Sequence, residues 1–187
     1  MDVIDAIYHR RAIRDYTDKP VDGATIRMLV ETATQAPSAM NLQPWAFAVV
    51  QSKGALARFS EEAKAYLLKT VAAGDTLAAY RDRFRDPSFN IFYNAPTLVV
   101  ICATSASPQA AEDCALAGQT FMLAAHAHGL GTCLIGFARP WFNTRAGKAA
   151  LGIPDHYAPV AALILGHPQG SAPAHPRRQP EIHWLSA

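Results

Sequence analysis

Three short runs constrain this chain more than anything else in it: "AFAVVQ" (46–51), "TLVVICA" (97–103) and "VAALILG" (160–166). Each is apolar almost throughout, rich in β-branched residues and too short for a core helix, so each reads as a buried strand. Pro96 and the Ser107-Pro108 turn bound the second. A strand apolar on every position needs cover on both faces, which calls for a sheet between layers of helix. "TCLIGF" (132–137) is a shorter extended piece.

Helical spacing fills the intervals. Asp2 caps a short helix with Val3, Ile4 and Ile7 on one side. Asp22 caps a second, in which Ile26, Leu29, Val30 and Ala33 recur, and Pro37 is read as its end. Residues 55–68, 109–128 and 144–151 are further helices, the last two closed by Gly129 and Gly152. The class is α/β (α+β), in one domain spanning 1–187. Four strands make a small sheet for so many helices, which leaves apolar helix faces for a partner chain to cover.

The segment 69–94 has two readings. It carries "RDRFRD" (81–86) together with Tyr80, Phe84, Phe89, Phe92 and Tyr93. It is either a surface helix and loop with ordinary aromatic anchors, or an inserted lid over a pocket.

Composition narrows the function. Half of the 187 residues are hydrophobic and 17% charged, which suits a packed core. A net charge of +2 argues against a nucleic-acid partner, so any basic site is local. No uncharged apolar stretch reaches about 18 residues, so no membrane span is expected. The opening "MDVIDAIYHRR" places acids before bases, unlike a secretory signal, and Cys102, Cys114 and Cys133 form no Cys-x-x-Cys pair. Reduced thiols and a cytoplasmic location are the expectation.

Local basic chemistry is concentrated in "HRRAIRDYTDKPV" (9–21), which sets Arg10, Arg11 and Arg14 just after the first helix. These are either a solvated basic surface or a phosphate site, since guanidinium offers a planar fork of donors. A second pair, Arg177-Arg178, lies in the Pro-rich tail. Convergence of both elements on one phosphate would explain them, and spacing alone does not establish it. "PSAMNLQPW" (37–45) offers hydroxyl and amide groups that suit a heterocycle or simply satisfy a turn. Other chemistries find no support. There is no His-Glu-x-x-His metal spacing, no Gly-x-Ser-x-Gly elbow and no phosphate-binding Gly-x-x-x-x-Gly-Lys loop. "GLGTCLIG" (129–136) is glycine-rich without matching Gly-x-Gly-x-x-Gly; it is a cap and strand, or a backbone amide aimed at a ligand.

Taken together, Arg10-Arg11-x-x-Arg14, "APSAMNLQPWAFAVV", "YNAPTLVVICA", the long helix into "GLGTCLIGF" and the closing "RRQPEIHW" resemble the flavin-dependent nitroreductase family. These anchors run from residue 7 to residue 184. The resemblance implies a central mixed β-sheet flanked by helices and an intertwined homodimer with FMN sites at the subunit interface. It implies NADH or NADPH as hydride donor and an electron-poor small molecule, such as a nitroaromatic or quinone, as acceptor. On this resemblance the cofactor-binding residues are Arg10, Arg11, Ala12 and Arg14, then Pro37, Ser38, Ala39, Met40, Asn41 and Gln43 from the partner chain. Leu134, Ile135 and Gly136 complete the set with Arg177 and Arg178. Arg10 and the tail arginines, chiefly Arg178, would hold the phosphate. Arg14 would lie near flavin N1 and O2, and the Ile135 and Gly136 backbone near N5 and O4. Residues 167–187 would contribute to the flavin site or the dimer. No side chain is assigned as catalytic and no metal is implied. The sequence departs from the family pattern at Ala12, where Ser is usual, and at Gln119-Thr120, where Gln-Asn is frequent. The alternatives are a flavin-dependent dehydrogenase or oxidase of another small molecule, and a non-catalytic flavin-binding module.

Overall fold

The computed structural model describes residues 1–72 and 74–185. Helix α1 (Val3–His9) starts at Asp2, whose carboxylate accepts from the Asp5 amide at 2.8 Å. Helix α2 (Gly23–Ala33) starts at Asp22, which accepts from the Thr25 amide at 2.8 Å. Both caps satisfy amides that a helix start leaves unpaired, typically for about 1 kcal/mol. Helix α2 stops three residues before the prolyl clash at Pro37 would act. The Gln35 and Ala36 amides turn back onto Thr32 and Ala33 instead.

Strand β1 (Trp45–Val50) and helix α3 (Lys53–Thr70) follow, then the short helix α4 (Arg81–Arg85) and β2 (Thr97–Ala103). Helix α5 (Ala110–Ala127) leads to β3 (Gly131–Leu134), helices α6 (Arg139–Phe142) and α7 (Arg145–Leu151), and β4 (Ala158–Gly166). The strands form one sheet in the order β1-β2-β4-β3. Every pairing between them is antiparallel. The parallel component of the expected mixed sheet is confined, among the described residues, to an isolated bridge between Ala12 and Thr132.

Both faces are covered, as the unbroken apolar strands require. Leu98, Val100 and Cys102 of β2 join Ala162 and Ile164 of β4 under α3 and α6, around Phe59, Phe92 and Phe142. The intervening Val99, Ile101 and Ala103 join Ala161, Leu163 and Leu165 under α2 and α5, around Leu29 and Phe121. This two-residue alternation assigns one half of each strand to each core.

Strand β3 is an edge, and its open side positions the site. Segment 12–17 starts on it and crosses to the residues after β4: the Ile13 amide donates to the Thr132 carbonyl at 3.0 Å, and the Thr17 amide to the His167 carbonyl at 2.9 Å. The Gln169 amide donates to the Asp15 carbonyl at 3.0 Å, which draws the start of the tail to the same place. Gly131 permits this approach, because a Cβ there would lie 2.8 Å from the Ile13 side chain. Edge pairing thus brings the arginine run and the residues after β4 together from opposite ends of the chain.

Candidate functional site

Three adjoining cavities form a trough along that edge. The first, of about 310 Å³, is lined by Arg10, Arg11, His126 and Thr132 with Gly170–Ala172. Ile13 and Gly170–Ala172 also line the second, of about 90 Å³, which Arg14 shares with the third. The third, of about 350 Å³, is lined by Arg14, Leu134, Ile135 and Gly136, together with Tyr80, Arg83, Tyr93 and Phe137.

The first cavity is strongly cationic. Burial, and then the charges of Arg11 and Arg177, push the Arg10 guanidinium below its ordinary pKa. Of the two tail arginines, Arg177 is the one whose charge Arg10 feels, although neither lines any of the three cavities. Among the described residues, none of Arg10, Arg11, Arg14, Arg177 and Arg178 lies within 4.0 Å of a carboxylate. Arg11 also braces the backbone, since its Nη1 donates to the Tyr8 and Arg10 carbonyls at 2.7 and 2.9 Å and closes the end of α1. Thr132 Oγ1 and His126 Nε2, both from residues of this wall, are buried without a hydrogen-bond partner among the described residues. Clustered cations and orphaned polar atoms, with no acid lining this cavity among the described residues, fit a phosphate ester.

In the third cavity, the Arg14 guanidinium lies 5.6 Å from the Tyr93 ring centroid. The two backbone amides there differ. Ile135 donates to the Ala162 carbonyl at 2.8 Å, whereas the Gly136 amide has no acceptor among the described residues. A Cβ on Gly136 would meet nothing within 4 Å, so the backbone is open to the cavity. Gly136, more than Ile135, can donate to a ligand. Leu134 is exposed at the rim.

The loop Pro37–Gln43 lines none of these cavities within one chain. Its polar groups are largely spent internally. Ser38 Oγ accepts from the Gln43 amide at 3.0 Å, and Gln43 Nε2 donates to Asn41 Oδ1 at 3.0 Å. Buried Asp113 of α5 accepts from the Ala39 amide at 3.1 Å and pins the loop to the helix. Met40, Asn41 and Gln43 have φ of 50°, 54° and 49°, so the chain is held in a left-handed conformation that presents Met40 to the outside.

Several residues of the trough carried no sequence signal. Ile13, Thr132 and Gly170–Ala172 are small or apolar, and only edge pairing makes them a wall. The aromatic signal at 69–94 did exist. Tyr80 and Phe84 pack on Phe137 with ring centroids 5.2 and 5.1 Å away, which sets the segment beside the third cavity. The three cysteines are buried, and burial raises each thiol, Cys102 to about 11 and Cys114 to about 12. None is a thiolate at neutral pH. No group of three or more metal-ligating side chains occurs among the described residues. No helix among them is long and apolar enough to cross a membrane.

The family model described as "Nitroreductase family" matches residues 7–167. An NADH dehydrogenase from Thermus thermophilus is 32% identical over 184 residues, covering 90% of this chain and 87% of that protein. An FMN reductase [NAD(P)H] from Bacillus subtilis is 28% identical over 185 residues, covering 94% and 70%. Among solved structures, a nitroreductase with bound FMN from Desulfitobacterium hafniense superposes with a TM-score of 0.83 at 28% identity, over the full length of both chains. The family match over residues 7–167, together with the Thermus thermophilus relative at 32% identity, shows that this protein belongs to the nitroreductase family.

Proposed function

We propose that the protein is an FMN-dependent oxidoreductase using NADH or NADPH, with its FMN in the trough along β3. The observation that carries this reading is the order of groups in the trough. A cation cluster without acids stands at one end, Arg14 in the middle, and an unpaired backbone amide at the other end. A flavin nucleotide has that order of needs: a phosphate, then a ring whose pyrimidine edge gains charge on reduction, then N5. Arg10 and Arg177 hold the phosphate, Arg14 faces N1 and O2, and the Gly136 amide faces N5 and O4. Arg11 supports the cluster by fixing the end of α1. When bound, FMN supplies two-electron transfer from NAD(P)H to an electron-poor acceptor such as a nitroaromatic or quinone. The chain's own contribution is binding, orientation and electrostatics, so no side-chain nucleophile or base is needed.

The Pro37–Gln43 loop enters this reading through a second copy of the chain. Its outward Met40, and the exposed Val3, Ile4 and Ile7 of α1, are apolar surface that a homodimer would cover. In such a dimer the loop reaches the partner's FMN. The tail 167–185 begins at the trough and carries exposed Ile182, Trp184 and Leu185, which suit the same interface.

The absorbance spectrum of the purified protein tests the cofactor, and anaerobic addition of NADH or NADPH tests the chemistry. Oxidised-flavin bands that bleach with either donor, and return with a nitroaromatic or quinone, are expected. A flavin that neither donor bleaches would make the protein a binding module. Protein unable to take up FMN would overturn the reading.

A further inference from the structure

The third cavity holds a second guanidinium that the cofactor does not need. Three arginines stand on α4, and two have structural partners. Arg81 Nη2 donates to the Leu68 carbonyl at 3.0 Å, and Arg85 pairs with Asp82 at 3.0 Å. Arg83 has neither a hydrogen bond nor an ion pair among the described residues, yet it lines the cavity beside Arg14. Its guanidinium lies 4.2 Å from the Phe89 ring centroid. Phe89 meets Tyr93 edge to face at 5.9 Å, and Tyr93 in turn carries Arg14. Two touching aromatic rings thus seat two guanidiniums on one wall.

Among the described residues no carboxylate lines this cavity. Asp86, the acid that senses the charge of Arg83, is committed to Ser88, accepting from its hydroxyl at 2.7 Å and its amide at 2.8 Å. On the opposite side Tyr80 leans on Phe137. The cavity therefore offers flat aromatic walls and one spare planar cation, already ordered by its stacking on Phe89. A guanidinium fork matches a carboxylate, and pre-ordering lowers the entropy lost on binding.

We propose that Arg83 is a specificity residue of the acceptor side, selecting planar aromatic acceptors that carry a carboxylate over their neutral isosteres. The inference rests on the oxidoreductase reading, in which Arg14 is taken by the cofactor.

Benzoate and benzamide are suitable probes, since neither is reduced and they differ in charge at one group. Calorimetry on the FMN-loaded protein is expected to show benzoate bound at least tenfold more tightly than benzamide. Arg83→Gln should bring that ratio to about one, and Arg83→Lys, which keeps charge without the fork, should fall between. Flavin content per chain equal to that of the parent checks that Arg83→Gln is folded. A ratio of one in the parent, or a ratio unchanged by Arg83→Gln, overturns the inference. So does a variant that loses NADPH over NADH discrimination while keeping the benzoate preference, since Arg83 would then serve the donor's phosphate. Protein that takes up no FMN overturns both readings, whereas loaded protein indifferent to charge overturns this one alone.

Discussion

A guanidinium that loses water beside two others is destabilised until an anion joins it, and Arg10 is in that position. Arg10→Ala should weaken FMN binding by about 10–150-fold, the equivalent of one charge-assisted hydrogen bond of about 1.5–3 kcal/mol. Riboflavin, which lacks the phosphate, should bind nearly alike to parent and variant in fluorescence titrations. Equal losses for both ligands would indicate damaged folding instead. Arg177→Ala should cost more FMN affinity than Arg178→Ala, because Arg177 is the tail arginine whose charge Arg10 feels. Arg14 acts at the ring. Its removal should lower the potential of the bound flavin by roughly 20–65 mV, the equivalent of about 1–3 kcal/mol for a two-electron couple. An unchanged potential in a redox titration would remove Arg14 from the flavin's edge.

Short-range packing between elements sets the two walls of the trough. On one side, Gly131 lets segment 12–17 lie against β3. Gly131→Ala would place a methyl 2.8 Å from Ile13, on the pair that bonds through the Ile13 amide and Thr132 carbonyl. Overpacking of this kind costs about 1–3 kcal/mol, so a lower denaturation midpoint and weaker FMN binding are expected together. On the other side, the turn after α4 is held by Lys64 of α3, which is 2% exposed. Its ammonium donates to the Asp86 and Phe89 carbonyls at 3.0 and 2.9 Å and pairs with Glu61 at 2.8 Å. Lys64→Met would strand the buried Phe89 carbonyl, at about 1–3 kcal/mol, while the Asp86 carbonyl keeps the Phe89 amide at 3.2 Å. Faster amide exchange across 81–93 should accompany the lost stability. Unchanged exchange would mean the turn is held by its aromatic contacts alone.

Viewed as a whole molecule, a single chain leaves several large apolar side chains in water. Val3, Ile4 and Ile7 of α1 are 64%, 57% and 50% exposed, and Trp184 in the tail is 84% exposed. The proposed homodimer would cover this surface. Light scattering should return twice the 20.2 kDa chain mass, with an obligate contact burying on the order of 2,000 Å² or more. Ile7→Glu, which sets a charge into that face, should shift the protein toward monomer and lower FMN affinity in parallel. A 20.2 kDa particle with FMN fully bound would refute the dimer.

Elements and the class of site were legible in the order of amino acids alone. The strand read at 97–103 is Thr97–Ala103 to the residue, because an apolar β-branched run between a proline and a turn has no competing conformation. Asp2, Asp22, Gly129 and Gly152 act at helix ends as their chemistry requires. Boundaries were less legible where only a proline marked them, as at the end of α2. The arginine run and its tail counterpart were visible as charge, since an unbalanced cation cluster can be read from composition along the chain. Which residues meet was settled by folding in three dimensions. Pairing of segment 12–17 with β3 and with the residues after β4 set Gly170–Ala172 in the wall, and folding left the amide of Gly136 open while closing that of Ile135. The same folding divided the arginines of 81–86 between support and cavity. These outcomes depend on contacts between residues far apart in the chain, and neither propensity nor periodicity reaches across that distance.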